Sequence, residues 1–190
     1  ISILKAFIHN RHNGLVCRFS ENDQWNFYDW SQYLEGNLFG TEKKEPDLIV
    51  NCLFIMALES LNKICKTVSV PFEYETLLSE SRNKKAYSLT VNGGEFTGLG
   101  NSLAIIAGIA ENPAELCGML AGGCFTEASL SMKCFKYDAL LKTDFSSWKN
   151  YVLEDIRRDY LKMLDAGATT VWETIEGASA FGNAGSLCHG

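Results

Sequence analysis

Between residues 146 and 165, Trp148, Val152, Ile156, Tyr160 and Leu164 recur every four residues, with Lys149, Glu154, Arg157 and Arg158 between them. Side chains four apart become neighbours only on a helix. The segment therefore predicts an amphipathic α-helix, which Gly167 stops. A second segment constrains the fold in the same way. Pro46-Asp47 is a helix-start signal, and Leu48, Ile49, Val50, Leu53, Phe54 and Ile55 leave almost no polar face after it. The pattern then narrows to a stripe of Leu61, Ile64, Cys65 and Val68. This predicts a helix over 47–68, buried on most sides in its first half. Pro71 interrupts the pattern, and further helices are expected over 72–87, 101–110 and 113–121, the last opened by Pro113 at its first turn. In 127–142, Leu130, Met132 and Cys134 alternate as in a strand. Leu130, Cys134, Tyr137 and Leu141 keep a helical period, and the helical surroundings decide for helix. Residues 1–9 read as the end of one more.

Strands are expected only in short hairpins near 14–20 and 90–98. Asn13-Gly14 and Asn92-Gly93-Gly94 supply turns, and Thr97-Gly98-Leu99-Gly100 reads as a loop. The fold class is therefore all-α, with six or seven helices in series. Helices buried on most sides alternate with amphipathic ones, as two concentric layers require. A bundle and a toroid both satisfy that pattern.

The chain has 190 residues, 46% of them hydrophobic and 21% charged, with a formal net charge of −6. Nucleic-acid binders are more often basic, so that class is set aside. No apolar run approaches the ~20 residues of a membrane span, so no membrane partner is expected. Seven cysteines cannot all pair within one chain, and none lies in a CxxC motif, so neither a metal nor a redox centre is expected. Free thiols among apolar residues behave as small hydrophobes and favour a reducing compartment, although cytoplasm and periplasm both stay open. The chain begins with Ile1 and stops at Leu187-Cys188-His189-Gly190 without a polar tail. The expectation is one domain, 1–190, cut at both ends from a larger catalytic domain.

Three segments carry chemistry. In Gly167-Ala168-Thr169-Thr170-Val171-Trp172-Glu173, small residues let the backbone pass closely, and an aromatic ring then adjoins a carboxylate. Sugar hydrolysis uses that pair: the ring packs on the sugar's C–H face and the carboxylate activates water or attacks the anomeric carbon. A packed Trp beside a solvated Glu after a helix end would look the same. Ser186-Leu187-Cys188-His189 follows, although a lone His is more often a surface or core residue. Trp25-Asn26-Phe27-Tyr28-Asp29-Trp30 is either core or an aromatic platform on which Asp29 accepts from sugar hydroxyls.

Gly-Ala-Thr-Thr-x-Trp-Glu followed by Ser-x-x-His resembles the C-terminal signature of the α-L-rhamnosidases. Tyr160-x-x-Met163-Leu164 resembles the helix leading into that signature, and Asp29-Trp30 is similar to an active-site Asp-Trp after a short strand. The likeness follows the chain in order, but only 160–189 is specific. The resemblance implies a partial (α/α)6 six-hairpin toroid. It implies hydrolysis of terminal α-L-rhamnosides with inversion, without cofactor or metal. Glu173 matches the general base, while Trp30 and His189 match sugar contacts, with Asp29 and Trp172 beside them. Trp25 is held in reserve. Where the family continues with a basic residue and a Trp, this chain has Thr174-Ile175-Glu176, which puts the sugar in doubt and makes Glu176 the reserve base. The family's Asp/Arg-rich general-acid motif is missing and would precede Ile1. With part of a toroid present, the inner helix near 47–68 is expected to expose apolar surface and favour homo-oligomers. The alternatives are a six-hairpin glycosidase or lyase acting on another sugar, and a non-catalytic helical binding module.

Overall fold

The computed structural model describes residues 2–20, 25–36, 43–83 and 94–188. The described chain is mainly helical. It opens with α1 (Ser2–His9), whose carboxyl end meets a hairpin of β1 (Arg11–His12) and β2 (Leu15–Val16). Asn13 and Gly14 both have positive φ, 51° and 85°, which a two-residue turn of this hand requires. The expected hairpin at 14–20 is thus present, shorter and paired to the segment before it. Residues 84–93 lie outside the described residues; of the second expected hairpin, over 90–98, the described part is instead a 3-10 turn at Gly94–Phe96 followed by a helix from Gly98, and the helix expected over 72–87 spans Glu75–Ser81 among the described residues.

Helix α2 (Leu48–Thr67) starts where Pro46-Asp47 directs, because the Asp47 carboxylate caps it by accepting from Val50 N at 3.0 Å. Asn51, buried one turn on, accepts from Val16 N (2.9 Å) and donates to Val16 O (2.8 Å), fastening the hairpin to this helix. Asp47 also accepts from Arg18 Nε at 2.7 Å and from the Tyr28 hydroxyl at 2.8 Å. One buried carboxylate thus joins the hairpin, the aromatic segment and the helix start. Helix α2 has the length and apolarity of a membrane span, with 39% of its most apolar stretch buried, which corrects the expectation that no such run exists. Its faces pack against α3 (Glu75–Ser81) and α4 (Gly98–Ile106), while Leu53, Ile64 and Val68 are exposed.

Helix α4 lies between α2 and α6 (Lys133–Thr143), and every residue from Leu99 to Ile105 is buried. It begins three residues earlier than expected, because Thr97 Oγ1 accepts from Gly100 N at 3.0 Å and turns the supposed loop into a capped first turn. Helix α5 (Pro113–Ala121) has the expected bounds. The segment read as one helix over 127–142 divides into a 3-10 turn (Leu130–Met132) and α6. Asp144 alone separates α6 from α7 (Phe145–Asp165) and caps α7 by accepting from Ser147 N. Gly167, at φ +78°, ends it.

The cysteines divide by burial. Cys17, Cys52, Cys65 and Cys117 are buried and free, while Cys124, Cys134 and Cys188 are exposed. Burial, with Asp47 nearby, pushes the Cys52 thiol far up, so it packs as an inert small hydrophobe.

Candidate functional site

A cavity of about 630 Å³ opens between the aromatic segment, helices α6 and α7, and the loop after α7. Its first wall is Trp30, which is 55% exposed. The backbone behind it is closed on itself: Tyr28 N and Asp29 N both donate to Leu34 O, and Trp25 Nε1 donates to Glu35 O at 2.7 Å. Trp25, Phe27 and Trp30 pack edge-on or tilted, with centroids 4.7–5.6 Å apart. Trp25 therefore supports Trp30 from behind.

Asp29 is 4% exposed, and its carboxylate accepts from Ser31 Oγ, Ser129 Oγ and Ser129 N. It rivets the aromatic segment to the start of the 3-10 turn. The structure places it as the holder of Trp30, with its oxygens already engaged by serine donors.

The opposite wall comes from the loop over 166–188. Glu173 N donates to Ser186 O (3.0 Å), Ser186 N donates to Glu173 Oε2 (3.3 Å), and Thr170 Oγ1 donates to Leu187 O. The Trp-Glu and Ser-Leu-Cys segments, distant in sequence, thus lie side by side. Between them, Gly177 at φ +57° sits against Trp172, where a Cβ would come within 2.8 Å of the indole. A Cβ on Gly185 would meet Gly177 O at 2.0 Å. The loop closes only because both positions lack side chains. Glu176 and Phe181 line the cavity, and Phe181 faces Trp30 with centroids 6.5 Å apart. Glu173 is half-buried, outside the cavity lining, and Trp172 lines a neighbouring cavity. His189 lies outside the described residues.

The remaining wall and floor are charged. Lys133 Nζ pairs with Asp159 and lies 3.6 Å from Asp155. Arg158 pairs with both aspartates, and the Tyr137 hydroxyl donates to Asp155 at 2.9 Å. Lys136, over the Tyr151 ring, donates to Glu127 at 2.7 Å. Sequence reasoning missed this network. Arg158 falls between the apolar positions of the stripe, and Asp155 and Asp159 sit in no motif. The buried face of α7 is Val152, Asp155, Asp159 and Met163. Among the described residues, no group of three or more His, Cys, Asp or Glu side chains is placed to hold a metal ion.

Burial pushes the Asp155 carboxyl up, but the Tyr137 hydrogen bond and the Lys133 and Arg158 charges outweigh it and hold it below the ordinary carboxylate range. A carboxyl depressed on folding contributes stability above its unfolded value, and that stability is lost as pH falls through its folded value. Thermal stability is therefore expected to drop as pH falls below about 4. Asp155→Asn should be less stable at neutral pH and show a shallower acid slope. An unchanged slope in thermal melts from pH 6 to 2.5 would remove Asp155 from this role.

No protein-family model, curated protein or solved structure matches the chain.

Proposed function

We propose that this chain forms part of an inverting glycoside hydrolase acting on terminal α-L-rhamnosides, built on a six-hairpin (α/α)6 toroid. The observation that carries the proposal is the loop over 166–188. It joins the Glu173 and Ser186 segments and sets Glu176 and Phe181 across a cavity from Trp30. Its volume of about 630 Å³ lies within the usual range for small-molecule sites. Consecutive helices α4–α5 and α6–α7 contact each other as hairpins, as a six-hairpin toroid requires.

In this mechanism Trp30 and Phe181 offer aromatic surface to the C–H face of the sugar. Glu173 is the general base and Glu176 its reserve: the base takes a proton from water as the oxygen attacks the anomeric carbon. Glycosidic cleavage also needs a carboxylic acid about 6.5–9.5 Å away to protonate the leaving oxygen. Asp155 suits that task poorly, because the Tyr137 hydrogen bond and the Lys133 and Arg158 charges hold its carboxyl below the ordinary range, and Asp159 and Glu127 are already committed to ion pairs with Lys133, Arg158 and Lys136. The proposal therefore assigns the acid to a segment preceding Ile1.

Glu173 Oε2 accepts from Ser186 N and stands outside the cavity lining, which favours a second reading, a module that binds sugar without hydrolysing it. Proton NMR of the full-length protein with an aryl α-L-rhamnoside separates the two. β-L-rhamnose is expected as the first anomer formed. The α anomer appearing first would overturn inversion, and saturable rhamnose binding without hydrolysis would favour the binding module.

A further inference from the structure

A second cavity, of about 580 Å³, lies on the other side of Lys133 and Leu130, which line both cavities. Its walls are Leu130, Ile156, Cys134 and the rings of Tyr137, Tyr160 and Trp172. The chemistry of these walls restricts the occupant. Among the described residues Lys133 is the only ionisable cation in the lining, and Asp159 and Asp155 already hold its ammonium. The Tyr137 hydroxyl is given to Asp155. The burial and carboxylate that push the Tyr137 phenol up keep it a neutral donor with its hydrogen committed. What remains toward the space is aliphatic carbon, sulfur and three aromatic rings, with the Ser131 and Tyr160 hydroxyls as the few polar groups among them. An anion would find its counter-charge already neutralised, and a polyhydroxylated ligand would lose water for few hydrogen bonds in return. A flat ring exchanges its hydration for ring faces and edges.

We infer that this cavity is a binding site for an uncharged planar aromatic molecule of two or three fused rings. The site shares Leu130 and Lys133 with the first cavity but uses neither Glu173 nor Trp30, so it does not rest on the hydrolytic proposal. Trp172 is its specificity element. The indole lines the cavity and rests on Gly177, which fixes it as a wall before any ligand arrives. Binding thus needs little reorganisation.

Cys134 is exposed and lines the cavity, whereas Cys124 is exposed elsewhere, so one protein carries both reporter and control. The test is the rate of N-ethylmaleimide labelling at each cysteine, followed by peptide mass spectrometry, with and without 2-naphthol. Saturating 2-naphthol is expected to slow labelling of Cys134 about tenfold and leave Cys124 unchanged. Filling the cavity through an exposed position, Cys134→Trp, should weaken 2-naphthol binding by titration calorimetry at least tenfold, whereas Cys124→Trp should not. Three outcomes would overturn the inference: equal slowing at both cysteines, unchanged affinity in Cys134→Trp, or protection of Cys134 by 1-decanol at lower concentration than by 2-naphthol. The last would make the site one for flexible chains. None of these readouts depends on hydrolysis, so the proposal above can fail while this one stands.

Discussion

Replacing Glu173 by Gln in the full-length protein is expected to lower turnover of an aryl α-L-rhamnoside by about 10²–10⁴-fold, the usual loss when a general base is removed. The substitution isolates basicity from architecture. The contact that orients this side chain is the hydrogen bond accepted from Ser186 N, and a glutamine carbonyl accepts it equally well. The backbone bond from Glu173 N to Ser186 O is untouched, so loop and cavity should persist and KM should change little. Azide, a nucleophile that needs no base, should restore part of the rate and yield the β-L-rhamnosyl azide. Turnover near the wild-type value would move the role to Glu176, which lines the cavity itself. Glu176→Gln should then show both the loss and the rescue.

Asp47→Ala is expected to produce the largest loss of stability, about 3–5 kcal/mol, the range for removing one partner of a buried charged pair. The carboxylate is 2% exposed and accepts from three groups at once: Arg18 Nε, the Tyr28 hydroxyl and Val50 N. Losing the helix cap alone would cost about 1 kcal/mol. The remainder comes from the buried donors that lose this acceptor. For a chain of this size the midpoint of thermal unfolding should fall by about 10 °C. A urea titration showing a loss near 1 kcal/mol would mean that Asp47 acts only as a cap. The damage should reach the cavity as well, because Tyr28 ties the aromatic segment to α2 and Trp30 follows it closely in the chain.

Local signals proved the most readable part of the sequence. Pro46-Asp47, Pro113 and Gly167 mark helix boundaries that the structure keeps, because capping and backbone freedom are decided within a few residues. The α7 stripe shows where such reading weakens. A strict four-residue repeat advances about 40° per step around a helix of 3.6 residues per turn. Trp148, Val152 and Ile156 pack on the core, but Tyr160 and Leu164 have rotated out toward solvent. Asp155 and Asp159 take the core side, since Val152, Asp155, Asp159 and Met163 follow one another at steps of three, four and four residues. Their burial depends on Lys133, Tyr137 and Arg158, and no pattern within α7 reveals the first two. Asp29 was legible as a chemically interesting carboxylate, but one of its two serine partners, Ser129, lies 100 residues away. A single position cannot show whether its oxygens face a ligand or a distant backbone. The pairing of Glu173 with Ser186 was visible only as a resemblance in motif.

That 100-residue separation also shapes the order of assembly. Helices α4 to α7 meet through short connections and can associate early, whereas the hydrogen bonds from Ser129 to Asp29 close a loop of that full span. Closing it costs about 4 kcal/mol in chain entropy, with only a few hydrogen bonds in immediate return. Contacts so remote in sequence form late in folding. The wall that presents Trp30 is therefore expected to join the larger cavity late, so that during refolding helical content by circular dichroism should recover before ligand binding does.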